Sequence, residues 1–253
     1  MMNKIQQEQD VEYGFPYHYI PKYNGGFTQN YNWSWGKQYA SAMEFILAEI
    51  KRDSASIESI VDLGCGDGRL TKELSEMFTD KKVVGIDYSA KAIKLAKALN
   101  PDVKYKNKNI MNHNLEKCDA ITLIEVFEHI PLEFCADFAR ASAELLKEGG
   151  CMYLTVPHEN KPVSYKHFQH FNYDSLMKYF QKYFDVERVE YIQKNNKLLS
   201  FLNVLMTNKL WIINSSFLNN SFYKFYKNRY FYSQEHNCGR IYLKLKRKNF
   251  ING

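Results

Sequence analysis

Short apolar runs alternate with stretches whose apolar residues recur every three or four positions, from residue 35 to residue 247. The segment 35–53, "WGKQYASAMEFILAEIKRD", sets Ala42, Phe45, Ile46 and Ile50 on one side of a helix. "SIVDLG" predicts a buried strand, and "DGRLTKELSEMF" a helix with Leu70, Leu74 and Phe78 in register. "KVVGID" predicts a strand, "SAKAIKLAKAL" a helix, "VKYKNKNI" a short strand and loop, and "DAITLIEV" a strand. "PLEFCADFARASAELLK" predicts a helix stopped by Gly149 and Gly150. "CMYLTVP" follows as a strand. "YDSLMKYFQKYF" predicts a helix with Asn172 or Asp174 near its start, and "DVERVEYI" and "GRIYLKLKR" are the last strands.

Alternation of this kind predicts an α/β fold, a Rossmann-like, doubly wound and mostly parallel sheet with helices on both faces. Ligands of such sheets bind outside the carboxyl ends of the strands. Residues 1–253 are expected to form one domain, with residues 1–34 as an N-terminal arm. Residues 201–231 break the rhythm and predict two helical pieces, a lid-like insertion between the last two strands. Its Phe217, Phe222, Tyr223, Phe225 and Tyr226 would form an aromatic wall. A dimer contact and a peripheral lipid contact are the other readings of this segment, and the oligomeric state stays open.

Charge and cysteine content narrow the picture. The net charge is +6, and Lys224 to Lys248 holds eight basic residues against Glu235 alone. A solvated strand end is the plainest reading of that tail, and an anionic partner the alternative. The five cysteines, Cys65, Cys118, Cys135, Cys151 and Cys238, form no C-x-x-C pair, so reduced thiols are expected. No apolar run reaches membrane-spanning length, and "MMNKIQQEQDVEYGF" lacks the apolar stretch of a signal peptide, so a cytoplasmic location is expected.

The chemistry concentrates in "SIVDLGCGDGRL". Gly64, Cys65, Gly66, Asp67 and Gly68 follow a strand and open a helix, where bare backbone lets a ligand approach. Asp87 ends the next strand about 20 residues on, where a carboxylate can hold both hydroxyls of a ribose. The spacing is G-x-G-x-G, flanked by Asp62 and Asp67. Carboxylates repel a pyrophosphate and suit a cofactor bearing a sulfonium and an ammonium. That selects S-adenosylmethionine (SAM) over a dinucleotide.

The motifs "VDLGCGDG", "VVGIDYS", "CDAITLIEVFEHIP" and "LLKEGGCMYLTVP" occur in order over residues 35–192. In them the chain resembles the class I SAM-dependent methyltransferases, particularly the small-molecule O-methyltransferase branch that includes ubiquinone-pathway enzymes. The resemblance implies that Gly64, Gly66 and Gly68 shape the methionine pocket, with Asp62 near the amino group. It further implies that Asp87 holds the ribose and Tyr88 flanks the adenine. Asn109 stands where the family often has an aspartate that contacts the adenine amine. Glu125 borders cofactor and substrate.

"EVFEHIP" would put Glu125, Glu128 and His129 on one face if a helix starts there. Two carboxylates and an imidazole can bind Mg²⁺ or Mn²⁺, while capping and packing is the structural alternative. His158, His167 and His170 follow the fifth strand and are candidates for a general base or a further ligand. The expected acceptor is a small-molecule hydroxyl, anionic or sugar-linked. Composition rich in Lys, Asn, Tyr, Phe and Ile suggests an AT-rich bacterial genome, and family-level analogy then points to a sugar of surface polysaccharide. A quinone or other aromatic hydroxyl, RNA 2′-O-methylation and a non-catalytic SAM-binding scaffold are the alternatives. DNA is not expected as a partner, and the sequence carries no RNA-binding appendage.

Overall fold

A computed structural model describes residues 33–112, 115–208, 210–213 and 215–249. The arm expected over 1–34 therefore lies outside the described residues, apart from 33–34, which open a helix. In chain order the elements are α1 (Trp33–Asp53), β1 (Ser59–Leu63), α2 (Arg69–Met77), β2 (Lys82–Asp87), α3 (Ala90–Leu99) and β3 (Lys104–Asn107). They continue as β4 (Cys118–Ile124), α4 (Cys135–Leu145), β5 (Leu146–Pro157), α5 (Tyr173–Phe180), β6 (Phe184–Ile192), α6 (Lys197–Met206), α7 (Ser216–Tyr230) and β7 (Arg240–Arg247).

The seven strands form one sheet in the order β3-β2-β1-β4-β5-β7-β6. β7 runs opposite to the other six strands, and it lies between β5 and β6. The chain leaves β1 toward β2 and returns to β4 on the other side. The β1/β4 junction is thus the switch point, where side chains and loops leave a crevice.

Period-two alternation assigns each strand's residues to two apolar layers. Val61, Val84, Ile121, Leu154 and Leu243 face α4 and α5. Ile60, Val83, Ala120, Tyr153 and Tyr242 face α1, α2 and α7. Ile46 and Ile50 of α1 are fully buried, each contributing roughly 1.5–3 kcal/mol by leaving water. Two acids fasten the end of α1 to the strands beneath it. Glu49 accepts from Arg188 at 3.0 Å and from the Tyr242 hydroxyl at 3.2 Å. Asp53 accepts from Tyr153 and from Lys244, the latter at 3.0 Å. Part of the basic tail is therefore ion-paired rather than merely solvated: Lys244 meets Asp53 and Glu187, and Lys248 meets Asp185.

Three boundaries differ from the periodic reading. α4 starts at Cys135, after a turn of 3₁₀ helix over Leu132–Phe134, and stops at Leu145. Leu146 is already extended and pairs with Cys118, so the strand begins before the glycines. Gly149 (φ 70°) instead sits in an irregularity inside β5, where the pairing with β4 slips. α5 ends at Phe180, because Phe184 is needed in β6; Asn172 caps it in a reciprocal pair with Ser175.

Phe180 is fully buried, with ring centroids 4.8 Å from Phe127 and 5.9 Å from Phe184. Phe180→Ala is expected to cost about 3–5 kcal/mol of unfolding free energy. Phe217, 78% exposed on α7, is expected to tolerate alanine within about 0.5 kcal/mol. Urea midpoints of the two variants check this contrast.

Candidate active site

The chain turns sharply after β1. Gly64 and Gly68 adopt φ values of 76° and 82°, a region that costs side-chain-bearing residues strain. Space is also short: a Cβ at Gly64 would strike Val126, and one at Gly68 the Tyr105 ring. The loop is pinned by its own backbone. The N–H groups of Gly64 and Cys65 both donate to the Ile86 carbonyl, at 2.7 and 3.1 Å.

Asp87, 6% exposed, braces the same loop from the end of β2. Its Oδ2 accepts the Gly66 N–H at 3.0 Å and its Oδ1 accepts the Ser89 N–H at 2.8 Å. Ser89 in turn caps α3. Asn107 donates to the carbonyls of Asp87 and Tyr88 at 3.0 and 2.8 Å, which fixes the turn that carries both residues. Tyr88 is 39% exposed at this rim. Asn109, just beyond β3, is exposed and accepts the Met111 N–H.

Asp62 lies deeper, 3% exposed. Its oxygens accept from Thr71 at 2.6 Å and Thr122 at 2.7 Å. Burial raises its pKa from 3.8 to about 6 against the pull of those hydroxyls, and Asp87 adds to the rise. Cys65 is buried beside both acids, and burial first, then their charge, pushes its thiol far up. It is an inert packing residue at neutral pH. All five cysteines are free thiols.

Glu125 follows β4 with φ 56°, a strained setting for a residue with a side chain. Three bonds hold it there. Its N–H donates to the Thr155 carbonyl at 3.0 Å, Thr155 Oγ1 donates to Oε1 at 3.0 Å, and Arg240 Nε donates to Oε2 at 2.5 Å. Although burial opposes ionisation, Arg240 holds this carboxyl below the usual range. Because Val126 packs against Gly64, the Glu125 turn and the glycine loop meet across the switch point.

The expected one-faced helix over Glu125, Glu128 and His129 does not form. Its place is taken by a single 3₁₀ turn, Phe127–His129, entered through the left-handed Glu125. Glu125 turns to Arg240, and Glu128 and His129 instead meet His167, with one ligand atom from each within 4.8 Å of the others. Glu128 is 1% exposed and neither of its oxygens has a hydrogen-bond partner. Its pKa is raised well above the usual value, by burial and then by Glu125.

Carbonyls set the tautomers of the neighbouring rings. His170 Nδ1 faces the Lys161 carbonyl at 2.9 Å and must donate to it, so its Nε2 accepts from His167 Nδ1 at 2.8 Å. That leaves His167 Nε2 with a lone pair on the Glu128 side. His129 Nδ1 faces the Lys166 carbonyl at 3.0 Å, which assigns the lone pair of that ring to Nε2 as well. Burial and the rings of His129 and His170 push His167 down to about 4. His158 stands apart. It is 3% exposed, its Nδ1 accepts the Asn160 N–H at 3.0 Å, and its Nε2 lies 3.8 Å from Glu235. The three histidines are thus one hydrogen-bonded pair and one separate residue.

Several residues of the site carried no readable signal. Thr71 and Thr122 matter only because they converge on Asp62 from α2 and β4, and Asn107 only because β3 pairs with β2. Arg240 is 115 positions from its partner Glu125, and its role depends on β7 running antiparallel. Knowledge of that topology is the one clue that could have flagged it.

Because Asp62 binds its proton more tightly in the folded chain, its contribution to stability falls as pH rises from about 4 to about 6. The size is about 3 kcal/mol. Asp62→Asn is expected to lack that slope. Its stability relative to the parent protein should rise by about that amount between pH 3.5 and pH 7 in urea unfolding, and parallel curves would refute the assignment.

The chain matches the methyltransferase-domain family over residues 33–196. It is 36% identical over 80 residues to a putative methyltransferase, 235L, of Invertebrate iridescent virus 6, covering 32% of this chain and 29% of that protein. It is 33% identical over 117 residues to the ubiquinone biosynthesis O-methyltransferase of Nitrosococcus oceani, covering 43% and 48%. In these matches the chain spans between about a third and a half of the relatives' length. The N-methyltransferase NodS of Bradyrhizobium japonicum, solved with S-adenosyl-L-homocysteine (SAH), superposes with a TM-score of 0.56 at 11% identity, over 87% of this chain and 90% of that one. With the strand order, the glycine loop and the family match in agreement, the chain belongs to the methyltransferase-domain family and has the α/β fold of class I SAM-dependent methyltransferases.

Proposed function

We propose that the protein is a SAM-dependent methyltransferase that methylates a hydroxyl of a small acceptor. One observation carries this reading. The glycine loop, braced by Asp87, packs directly on the Glu125–Val126 turn at the switch point, which supports a cofactor and an acceptor bound side by side. The donor set fits SAM. Asp62, Asp87 and Glu125 lie around the loop, and Arg69, which follows it, is paired with Glu73 at 2.7 Å. When bound, SAM supplies an electrophilic methyl group on a sulfonium.

Each residue keeps the role its surroundings support. Asp87 ends β2 beside the glycine loop, where a carboxylate can hold a ribose. Gly64, Cys65, Gly66 and Gly68 offer bare backbone to the methionine portion, and Tyr88 and Asn109 border the adenine. Asp62 acts through its field, because its oxygens already serve two threonines. Alignment of the acceptor in the crevice supplies much of the rate.

A divalent cation is the second element of the reading. Glu128, His129 and His167 offer one buried carboxylate and two imidazole nitrogens, a set that suits Mn²⁺ better than Mg²⁺. The unpartnered Glu128 carboxyl supports it, since a buried polar group without a partner costs free energy. The Lys166 carbonyl orients the His129 ring from outside and the His170 ring does the same for His167, as metal-binding histidines require. There the cation would lower the pKa of an acceptor hydroxyl. His167, at about 4, is a weak base on its own and a better ligand. His170 then serves as a positioning residue, and His158 lies outside this group.

For the acceptor, the reading is a sugar-linked or phosphorylated hydroxyl. A phenolic hydroxyl is the second choice, because a relative is a ubiquinone biosynthesis O-methyltransferase. The segment that carries α6 and α7 is assigned as a lid. Its Asn203 accepts from Lys37 of α1 at 2.7 Å, and Tyr226 is fully buried against the core. Among the described residues no helix is long and apolar enough to cross a membrane. The free thiols fit a cytoplasmic enzyme.

Calorimetry on the pure protein should detect SAM and SAH and no NAD. Turnover against nucleotide sugars, sugar phosphates and phenols, followed by mass spectrometry, should show the gain of one methyl group. Binding of NAD without SAM would overturn the proposal. Separately, Mn²⁺ at about 100 times its Kd is expected to stabilise the protein by about 2.7 kcal/mol, and His167→Ala should abolish the effect. If the thermal midpoint of the parent protein does not respond to Mn²⁺, the cation reading falls.

A further inference from the structure

A second group of charges, half-buried, lies at the same edge of the sheet. Because β7 runs antiparallel, its first residue, Arg240, sits level with the last residues of β5 and β6, Pro157 and Ile192. Its Nε is committed to Glu125 at 2.5 Å, whereas its Nη1 is buried with no hydrogen-bond partner. Lys161 comes to the same place from the loop after β5. The backbone of Lys161 is fixed at both ends, its N–H donating to the His158 carbonyl at 3.0 Å and its own carbonyl accepting from His170.

Space for the lysine is reserved by a missing side chain. A Cβ on Gly239 would lie 2.6 Å from Lys161 Cε and 2.7 Å from its Nζ. Burial and the Arg240 charge lower the Lys161 pKa to about 8, with Glu125 opposing, so both cations act on one small volume. One cation is enough to neutralise Glu125. Burial and Glu125 push the neighbouring Glu128 toward its neutral form, so the second cation leaves an excess positive charge next to an unsatisfied donor, and both would be compensated by an anion. The cluster is not sealed: the Glu125 side chain keeps 27% exposure and that of Arg240 16%.

We propose that Arg240 and Lys161 form the receptor for an oxyanion, carboxylate or phosphate, carried by the methyl acceptor. Glu125 then stands between the cofactor cradle and the anion. This assignment rests on the methyltransferase reading and adds a specificity element to it. An acceptor without the anion leaves the Arg240 donor unpaired and is rejected for that reason. Gly239 belongs to the receptor as the residue that admits the lysine.

Inorganic phosphate and citrate, with glycerol as the neutral control, would be titrated into the full chain by calorimetry in metal-free buffer, with and without SAH. The parent protein is expected to bind at least one of the two anions and not glycerol. The tighter of the two identifies the head group, phosphate for a phosphorylated acceptor and citrate for a carboxylate-bearing one. Lys161→Gln and Arg240→Gln should each weaken that binding tenfold or more. Gly239→Ala should weaken it as well, by displacing the lysine head without removing a charge. SAH affinity should be retained in Lys161→Gln. Failure of both anions to bind, or equal binding by the parent, Lys161→Gln and Gly239→Ala, overturns the receptor. Failure of SAH to bind the parent protein would instead sink the methyltransferase reading, and the SAH-free titrations would still judge the anion site.

Discussion

The structure depends on one carboxylate, that of Asp87. A loop of five residues with three glycines has high conformational entropy in the unfolded chain and few side chains to hold it. Here Asp87 supplies the constraint, since it accepts from Gly66 on one side and from Ser89 on the other. Charge-assisted bonds to backbone N–H groups are among the stronger ones available. They join the end of β1, the end of β2 and the start of α3 in a single junction. It acts together with the Ile86 carbonyl, which accepts the Gly64 and Cys65 N–H groups, to hold the loop against Val126.

The periodic signal made most of this frame legible. Strands buried on both sides and helices with one apolar stripe differ in period, so the order of elements and the position of the glycine loop follow from the sequence. Ile46, Ile50, Leu70 and Leu74 are core residues, as their spacing implies. The misread boundaries share a cause. At Gly149 a glycine that reads as a helix stop serves a slip of register within a strand, because pairing of Leu146 with Cys118 outweighs local helix propensity. At Glu125 a pattern that reads as the start of a helix is broken by a backbone conformation that sequence does not announce. Tertiary bonds to Thr155 and Arg240 stabilise it, and both partners are remote in the chain.

Charged residues were harder to read than apolar ones, for a physical reason. An apolar stripe is defined by near neighbours, whereas a buried charge is defined by what compensates it. Asp62, Glu125 and Glu128 are all acids at the switch point, yet their surroundings give them three different states. Asp62 has two hydroxyl donors and is only partly relieved of its burial. Glu125 has an arginine and stays ionised. Glu128 has no donor at all. Sequence spacing grouped Glu125 with Glu128 and His129, while the structure separates them by assigning Arg240 to the first and His167 to the other two.

The histidine pair shows how second-layer bonds decide the chemistry of the first. A carbonyl oxygen only accepts, so the Lys161 carbonyl fixes His170, His170 fixes His167, and the remaining lone pair of His167 lies on the side of Glu128. The same residue, Lys161, lays its ammonium against Gly239, next to Arg240. One short stretch after β5 therefore serves both groups at the sheet edge, with its backbone setting a ring tautomer and its side chain supplying a charge. Loop residues 158–170 act on the crevice as a unit, also tied to the 3₁₀ turn by the Phe168 N–H bond to the Glu128 carbonyl at 2.9 Å. A change that shifts this loop would reach the candidate cation ligands and the anion receptor together. The two groups are coupled by geometry even though no side chain belongs to both.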